Sequence, residues 1–267
     1  MDNRPIGVFD SGVGGLTVVK QLIKALGNEE IVYFGDTARV PYGNKSKETV
    51  TKFSIQDVRF LASKGVKAVV IACNTASSNS IAELKAEFDI PVFGVVEPGA
   101  KEAVKATQNG RIGVIATSAT VRSGQYGRLI KEMAPQVEVF EKACPLFVPL
   151  AEEGWTDNDI AFKTAKIYLK EIMDKGVDCV VLGCTHYPLL KRCIGETLGE
   201  DIKLIDPAKE TAMAVKNFLR DNNGLREDTT PPKHIFYVSD KTDMFGAICN
   251  KALKRVYSAN EINIEEY

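Results

Sequence analysis

The chain has 267 residues, 45% of them hydrophobic and 26% charged, with a formal net charge of −1 from 34 basic and 35 acidic side chains. That balance suits a globular protein with core enough for one large domain or two small ones, and it carries neither the basic excess of a nucleic-acid surface nor an acidic tail. No run approaches the ~20 apolar residues of a membrane span. Met1-Asp2-Asn3-Arg4-Pro5 leads into no apolar signal segment, so a cytoplasmic location is expected, where the six cysteines stay reduced.

The first strand is expected at residues 6–9 and runs into Asp10-Ser11-Gly12-Val13-Gly14-Gly15 ahead of a helix. These glycines permit a tight turn and close backbone approach, and the helix start suits an anion. The dinucleotide fingerprint is incomplete, because its third glycine would fall at Thr17, and no P-loop lysine follows. A second strand, 31–34, precedes Gly35-Asp36-Thr37-Ala38-Arg39-Val40-Pro41-Tyr42-Gly43. There Tyr42 and Gly43 offer a hydroxyl and an N–H to a carboxylate, and Pro41 with Gly43 equally suits a structural turn.

A helix over 47–64 leads to a continuously apolar strand, 68–72, of the kind covered on both faces. It ends at Cys73-Asn74-Thr75, and a helix is expected over 77–88. Strands follow at 92–95, 112–116 and 137–140. After the second of these, the hydroxyls of Thr117-Ser118-Ala119-Thr120 suit a helix cap or a ligand carboxylate. Glu152 and Glu153 read either as a solvated pair or as a carboxylate at a cleft mouth. A helix over 158–175 precedes a strand at 179–182, which ends at Cys184-Thr185-His186. A strand at 203–205, a helix over 209–220, a polar loop between Asn222-Asn223-Gly224 and Pro231-Pro232, and a strand at 235–238 complete the pattern.

Alternating strands and helices argue for βαβ units and mainly parallel sheets. The expected fold class is α/β, with two similar lobes related by pseudo-symmetry and the site in the cleft between them. Breaks near Glu97-Pro98-Gly99 and Asp206-Pro207 place one lobe at 1–97 plus 208–267 and the other at 98–207. Cys73 and Cys184 both sit where a buried strand gives way to a loop, the rim at which open α/β sheets bind ligands. A lone cysteine is often mere packing, and Cys144, Cys179, Cys193 and Cys249 are read that way, as His234 is read as structural. Two thiols in matched settings suit removal of a proton from one face of a carbon and its return to the other. His186, two residues from Cys184, is a local candidate for proton relay. The cysteine and histidine spacing fits no metal site.

Taken together, Phe9-Asp10-Ser11-Gly12-Val13-Gly14-Gly15, Tyr33-Phe34-Gly35-Asp36-Thr37-Ala38-Arg39, Pro41-Tyr42-Gly43, Ala72-Cys73-Asn74-Thr75-Ala76 and Leu182-Gly183-Cys184-Thr185-His186-Tyr187-Pro188 resemble the glutamate racemase family, within the wider aspartate/glutamate racemases. The resemblance implies interconversion of L- and D-glutamate without a cofactor, with D-glutamate passing to cell-wall peptidoglycan. It implies Cys73 and Cys184 as the acid/base pair, with Asp10 assisting Cys73 and His186 assisting Cys184. The implied substrate contacts are Asp10, Ser11, Pro41, Tyr42, Gly43, Asn74, Thr75, Thr117, Thr120, Thr185 and His186, with Asp36 and Glu152 as auxiliary acids. A homodimer is also implied. The rival readings are a racemase of aspartate or another acidic amino acid, a non-catalytic two-lobe amino-acid-binding protein, and a dithiol redox protein.

Overall fold

Short β-branched and aromatic runs form ten strands among the described residues: β1 Ile6–Asp10, β2 Ile31–Gly35, β3 Ala68–Ile71, β4 Val92–Gly94, β5 Arg111–Ala116, β6 Glu138–Ala143, β7 Cys179–Gly183, β8 Lys203–Ile205, β9 Ile235–Val238 and β10 Ala259–Glu261. The computed structural model describes residues 1–241, 243–255 and 257–267. The strands form two sheets, ordered β10-β9-β2-β1-β3-β4 and β6-β5-β7-β8, and every pairing is parallel.

The two sheets share a plan. Four strands in chain order occupy the spatial order second, first, third, fourth in each: β2-β1-β3-β4 and β6-β5-β7-β8. In such a sheet the connections reverse direction between the first and third strands, and the crevice beyond their carboxyl ends is where ligands bind. Asp10 ends β1 and Cys73 follows β3; Thr117 follows β5 and Cys184 follows β7. Each sheet therefore brings one thiol to its own switch point. The last two strands, β9 and β10, extend the first sheet from the β2 edge.

Helices cover both faces of each sheet, as parallel strands with no polar face require. Leu16, Leu22, Val215 and Leu219 pack on one face of the first sheet, and Val58, Leu61 and Leu84 on the other. Leu169, Ile172 and Ile194 cover one face of the second, and Ala100, Tyr126 and Ile130 the other. Each fully buried Leu, Ile or Val contributes about 1.5–3 kcal/mol. The helix Pro207–Asp221 follows a strand of the second sheet yet packs its apolar face into the core of the first. Among the described residues no helix is long and apolar enough to cross a membrane.

Most expected elements shift by a residue or a few at their ends, as the strand expected at 137–140 does to Glu138–Ala143, and two differences carry a physical reason. The helix expected from residue 77 begins three residues earlier, as Asn74–Glu87, because the Cys73 sulfur itself caps it by accepting from the Ala76 N–H at 3.5 Å. Strand β10 carries no apolar signal; its Ala-Asn-Glu lies at a sheet edge and is largely exposed.

Candidate active site

Cys73 and Cys184 line one cavity of about 280 Å³. It is walled by Ser11, Pro41, Tyr42, Gly43, Asn74, Thr75, Thr117, Thr185, His186 and Glu152, all expected from the sequence, and by the apolar Val148 and Pro149, which were not. A larger groove, about 410 Å³, runs past Lys85, Glu97, Lys101 and Glu210 and contains neither thiol. Asp10, Asp36 and Thr120 are fully buried and stand behind the cavity wall rather than in it.

The two sulfurs have unlike companions. Cys73 Sγ lies 3.5 Å from Ser11 Oγ. Burial, the Asp10 charge and the nearby Cys184 push its thiol up to about 12, with the Ala76 N–H and Ser11 only partly opposing them. Cys184 Sγ lies 3.8 Å from His186 Nδ1. Burial alone would favour neutral His186, but its contacts with Cys184 and Glu152 outweigh that and push the imidazolium up to about 10. Glu152 Oε1 is 3.1 Å from His186 Nε2, close enough for an ion pair although out of line with the ring N–H. Burial also raises Asp10, against the opposing charge of His186 and N–H bonds from Gly15 and Gly12.

The glycines after β1 serve loop-to-loop contact. A Cβ on Gly14 would lie 2.5 Å from Thr185 Oγ1 and 2.7 Å from His186 Nδ1, so only glycine lets the first sheet's loop reach the Cys184 loop. Thr17 Oγ1 bonds the Thr185 carbonyl at 3.2 Å, and Thr185 Oγ1 donates to Asp10 at 3.4 Å across the same seam. A Cβ on Gly43 would likewise press within 2.8 Å of Thr117 Cβ. Beside it, Thr75, Thr117 and Thr120 join their buried hydroxyls in a triangle with sides of 2.9, 3.3 and 3.0 Å.

Tyr42 corrects one sequence expectation. Its hydroxyl is turned away from the cavity, donating to Asp36 and standing 3.1 Å from Asp57. Two buried carboxyl groups need a hydrogen-bond partner more than the cavity does. Burial and the neighbouring Asp36 charge raise Asp57 well above the usual carboxylate range, with Arg39 and Tyr42 opposing. Arg39 bridges both, 2.7 Å from Asp36 and 3.1 Å from Asp57, which pins the 36–44 loop from beneath. Tyr42 and Gly43 therefore offer the cavity ring edge and backbone. Among the described residues no cluster of His, Cys, Asp or Glu could hold a metal ion.

Paired parallel sheets, each with a cysteine at its switch point and both thiols on one cavity, define a two-sheet α/β protein with a dithiol cleft. Residues 6–215 match the family described as Asp/Glu/Hydantoin racemase, and the chain belongs to that family. It is 54% identical over 250 residues to a glutamate racemase of Geobacter metallireducens, covering 94% of this chain and 93% of the relative. The fold matches a glutamate racemase of Bacillus anthracis with a TM-score of 0.94 at 38% identity over 98% of both chains. It matches that of Francisella tularensis, solved with D-glutamate, with a TM-score of 0.94 at 40% identity over all of both chains.

Proposed function

We propose that this protein interconverts L- and D-glutamate without a cofactor, using Cys73 and Cys184 as the two acid/base groups. The observation that carries this reading is that both thiols, from equivalent stations of two sheets, line a single cavity. The relatives named above support glutamate as the substrate.

In each turnover one sulfur, as thiolate, takes the α-proton; the C–H bond breaks and an S–H bond forms. The other sulfur, as thiol, then gives its proton to the opposite face of the carbanion. No electrons are gained or lost overall, and the protonation states of the two sulfurs have exchanged. Burial and the Asp10 charge keep Cys73 a thiol. A substrate ammonium beside it opposes both, so proton release from Cys73 is coupled to binding. His186, charged between Cys184 and Glu152, is placed to serve as proton partner of Cys184.

An α-proton is a poor acid, and general acid–base catalysis supplies only ~10²–10⁴-fold. The remainder falls to positioned donors at the developing negative charge. The Asn74 amide, the hydroxyls of Ser11, Thr75 and Thr185, and the free N–H groups opening the helix Asn74–Glu87 meet that need. Asp10 and Thr120 act from behind the wall, through Thr185 and the hydroxyl triangle. The same reading divides the chain into lobes 1–97 with 208–267 and 98–207. It makes the protein a cytoplasmic homodimer supplying D-glutamate to peptidoglycan.

Incubation with L-glutamate in deuterated water tests the proposal. Circular dichroism should fall to zero as deuterium enters the α-carbon by NMR. Binding without α-exchange would leave a binding protein instead, and faster turnover of aspartate would reassign the substrate.

A further inference from the structure

The helix Gln125–Met133 belongs to the second sheet, yet one of its side chains crosses to the first. Tyr126 is fully buried, and its hydroxyl donates to Asn74 Oδ1 at 2.7 Å. Asn74 directly follows Cys73 and lines the cavity. With its carbonyl oxygen held by the phenol, the Asn74 amide keeps its N–H₂ end for other partners. That is the end that can donate to an anion.

The ring is gripped as closely as the hydroxyl. A Cβ on Gly183 would lie 3.3 Å from Tyr126 Cε2, and a Cβ on Gly99 would lie 3.2 Å from its hydroxyl. Gly183 directly precedes Cys184. One phenol therefore bonds the residue after one thiol and leaves no room for a side chain on the residue before the other. Its own helix is anchored, since Glu141 on β6 accepts from the Gly127 N–H at 3.1 Å. Burial and the negative groups around it push the Tyr126 hydroxyl far up, so it keeps its proton and remains a donor.

We infer that Tyr126 is a positioning residue: it fixes the Asn74 amide with its donors toward the substrate carboxylate and spaces the Cys73 and Cys184 loops. It touches no substrate and acts through Asn74 and Gly183. This deepens the proposed function and rests on glutamate being the ligand.

The test is a double-mutant cycle on D-glutamate affinity, measured by calorimetry so that slow variants can still be read. Tyr126→Phe removes only the hydroxyl. It should weaken binding about three- to tenfold, the share expected of one neutral hydrogen bond. It should lower kcat/KM by at least the same factor, because the Asn74 amide also serves the developing negative charge. In an Asn74→Ala background the same substitution should add nothing, because the amide it orients is gone. An unchanged affinity in Tyr126→Phe, or an equal loss with and without Asn74, would overturn the inference. So would an effect confined to the melting temperature. If the unmodified protein bound neither enantiomer of glutamate, the functional reading itself would fail.

Discussion

Glu152 Oε1 stands 3.1 Å from His186 Nε2, and the ring's other nitrogen faces Cys184 Sγ at 3.8 Å. This chain of contacts raises His186 from an ordinary 6.5 to about 10. A raised imidazole favours the fold while it is protonated, so its contribution is complete below about pH 6.5 and is lost as pH climbs through about 10. The melting temperature of His186→Asn should therefore lie furthest below that of the unsubstituted protein near pH 6, and the gap should close toward pH 10. A gap that widened with pH would contradict this charge assignment.

Cys73→Ala and Cys184→Ala should each lower racemisation by at least ~10³-fold, since each removes one of two obligatory proton carriers. Both sulfurs are small and buried, so far-ultraviolet circular dichroism should be nearly unchanged. Full activity in either variant would end the two-base assignment.

Tyr42→Phe separates a substrate contact from a scaffold contact. Its hydroxyl serves Asp36 and Asp57, so removing it should cost about 1–3 kcal/mol of stability in urea unfolding. KM for glutamate should move by less than about threefold, a change worth under ~0.7 kcal/mol. A large rise in KM with stability intact would return the hydroxyl to the substrate.

Alkylation of Cys73, followed by mass spectrometry, should be slow at neutral pH and still accelerating above pH 9, because the thiol lies near 12. The Asp10 charge is one cause of that rise. Asp10→Asn should therefore shift the alkylation profile toward lower pH; a shift upward would mean that Asp10 acts as a proton acceptor for the thiol.

Gly14→Ala places a methyl group 2.5 Å from Thr185 Oγ1. Overpacking of this kind costs about 1–3 kcal/mol. The Cys184 loop would have to retreat, so kcat/KM should fall together with the melting temperature. Gly65→Ala, at a position with open space around it but a φ of +70°, controls for backbone strain alone, and should lower stability without touching kcat/KM.

Cysteine loops were legible in the sequence because their information is contiguous: an apolar strand, a thiol, then small polar residues, at 68–75 and again at 179–186. The parallel α/β plan was legible for the same local reason. Tyr126 was not, because on its own helix it reads as one more apolar position, and its partner Asn74 is 52 residues away. Val148 and Pro149 carry no chemistry of their own and became cavity wall only when the helix Phe147–Glu152 folded over the cleft. The direction of the Tyr42 hydroxyl depended on Asp57, which lies on the buried face of an amphipathic helix and reads there as an ordinary polar residue.

The unlike companions of the two sulfurs meet a thermodynamic limit. Mirror-image molecules have equal free energy in water, so their equilibrium constant is one. The Haldane relation then forces kcat/KM to be identical in the two directions. Serine and aspartate beside one sulfur, with histidine and glutamate near the other, can skew kcat only by skewing KM to match. Every substitution around either cysteine must obey the same equality, however lopsided its effect on the individual constants.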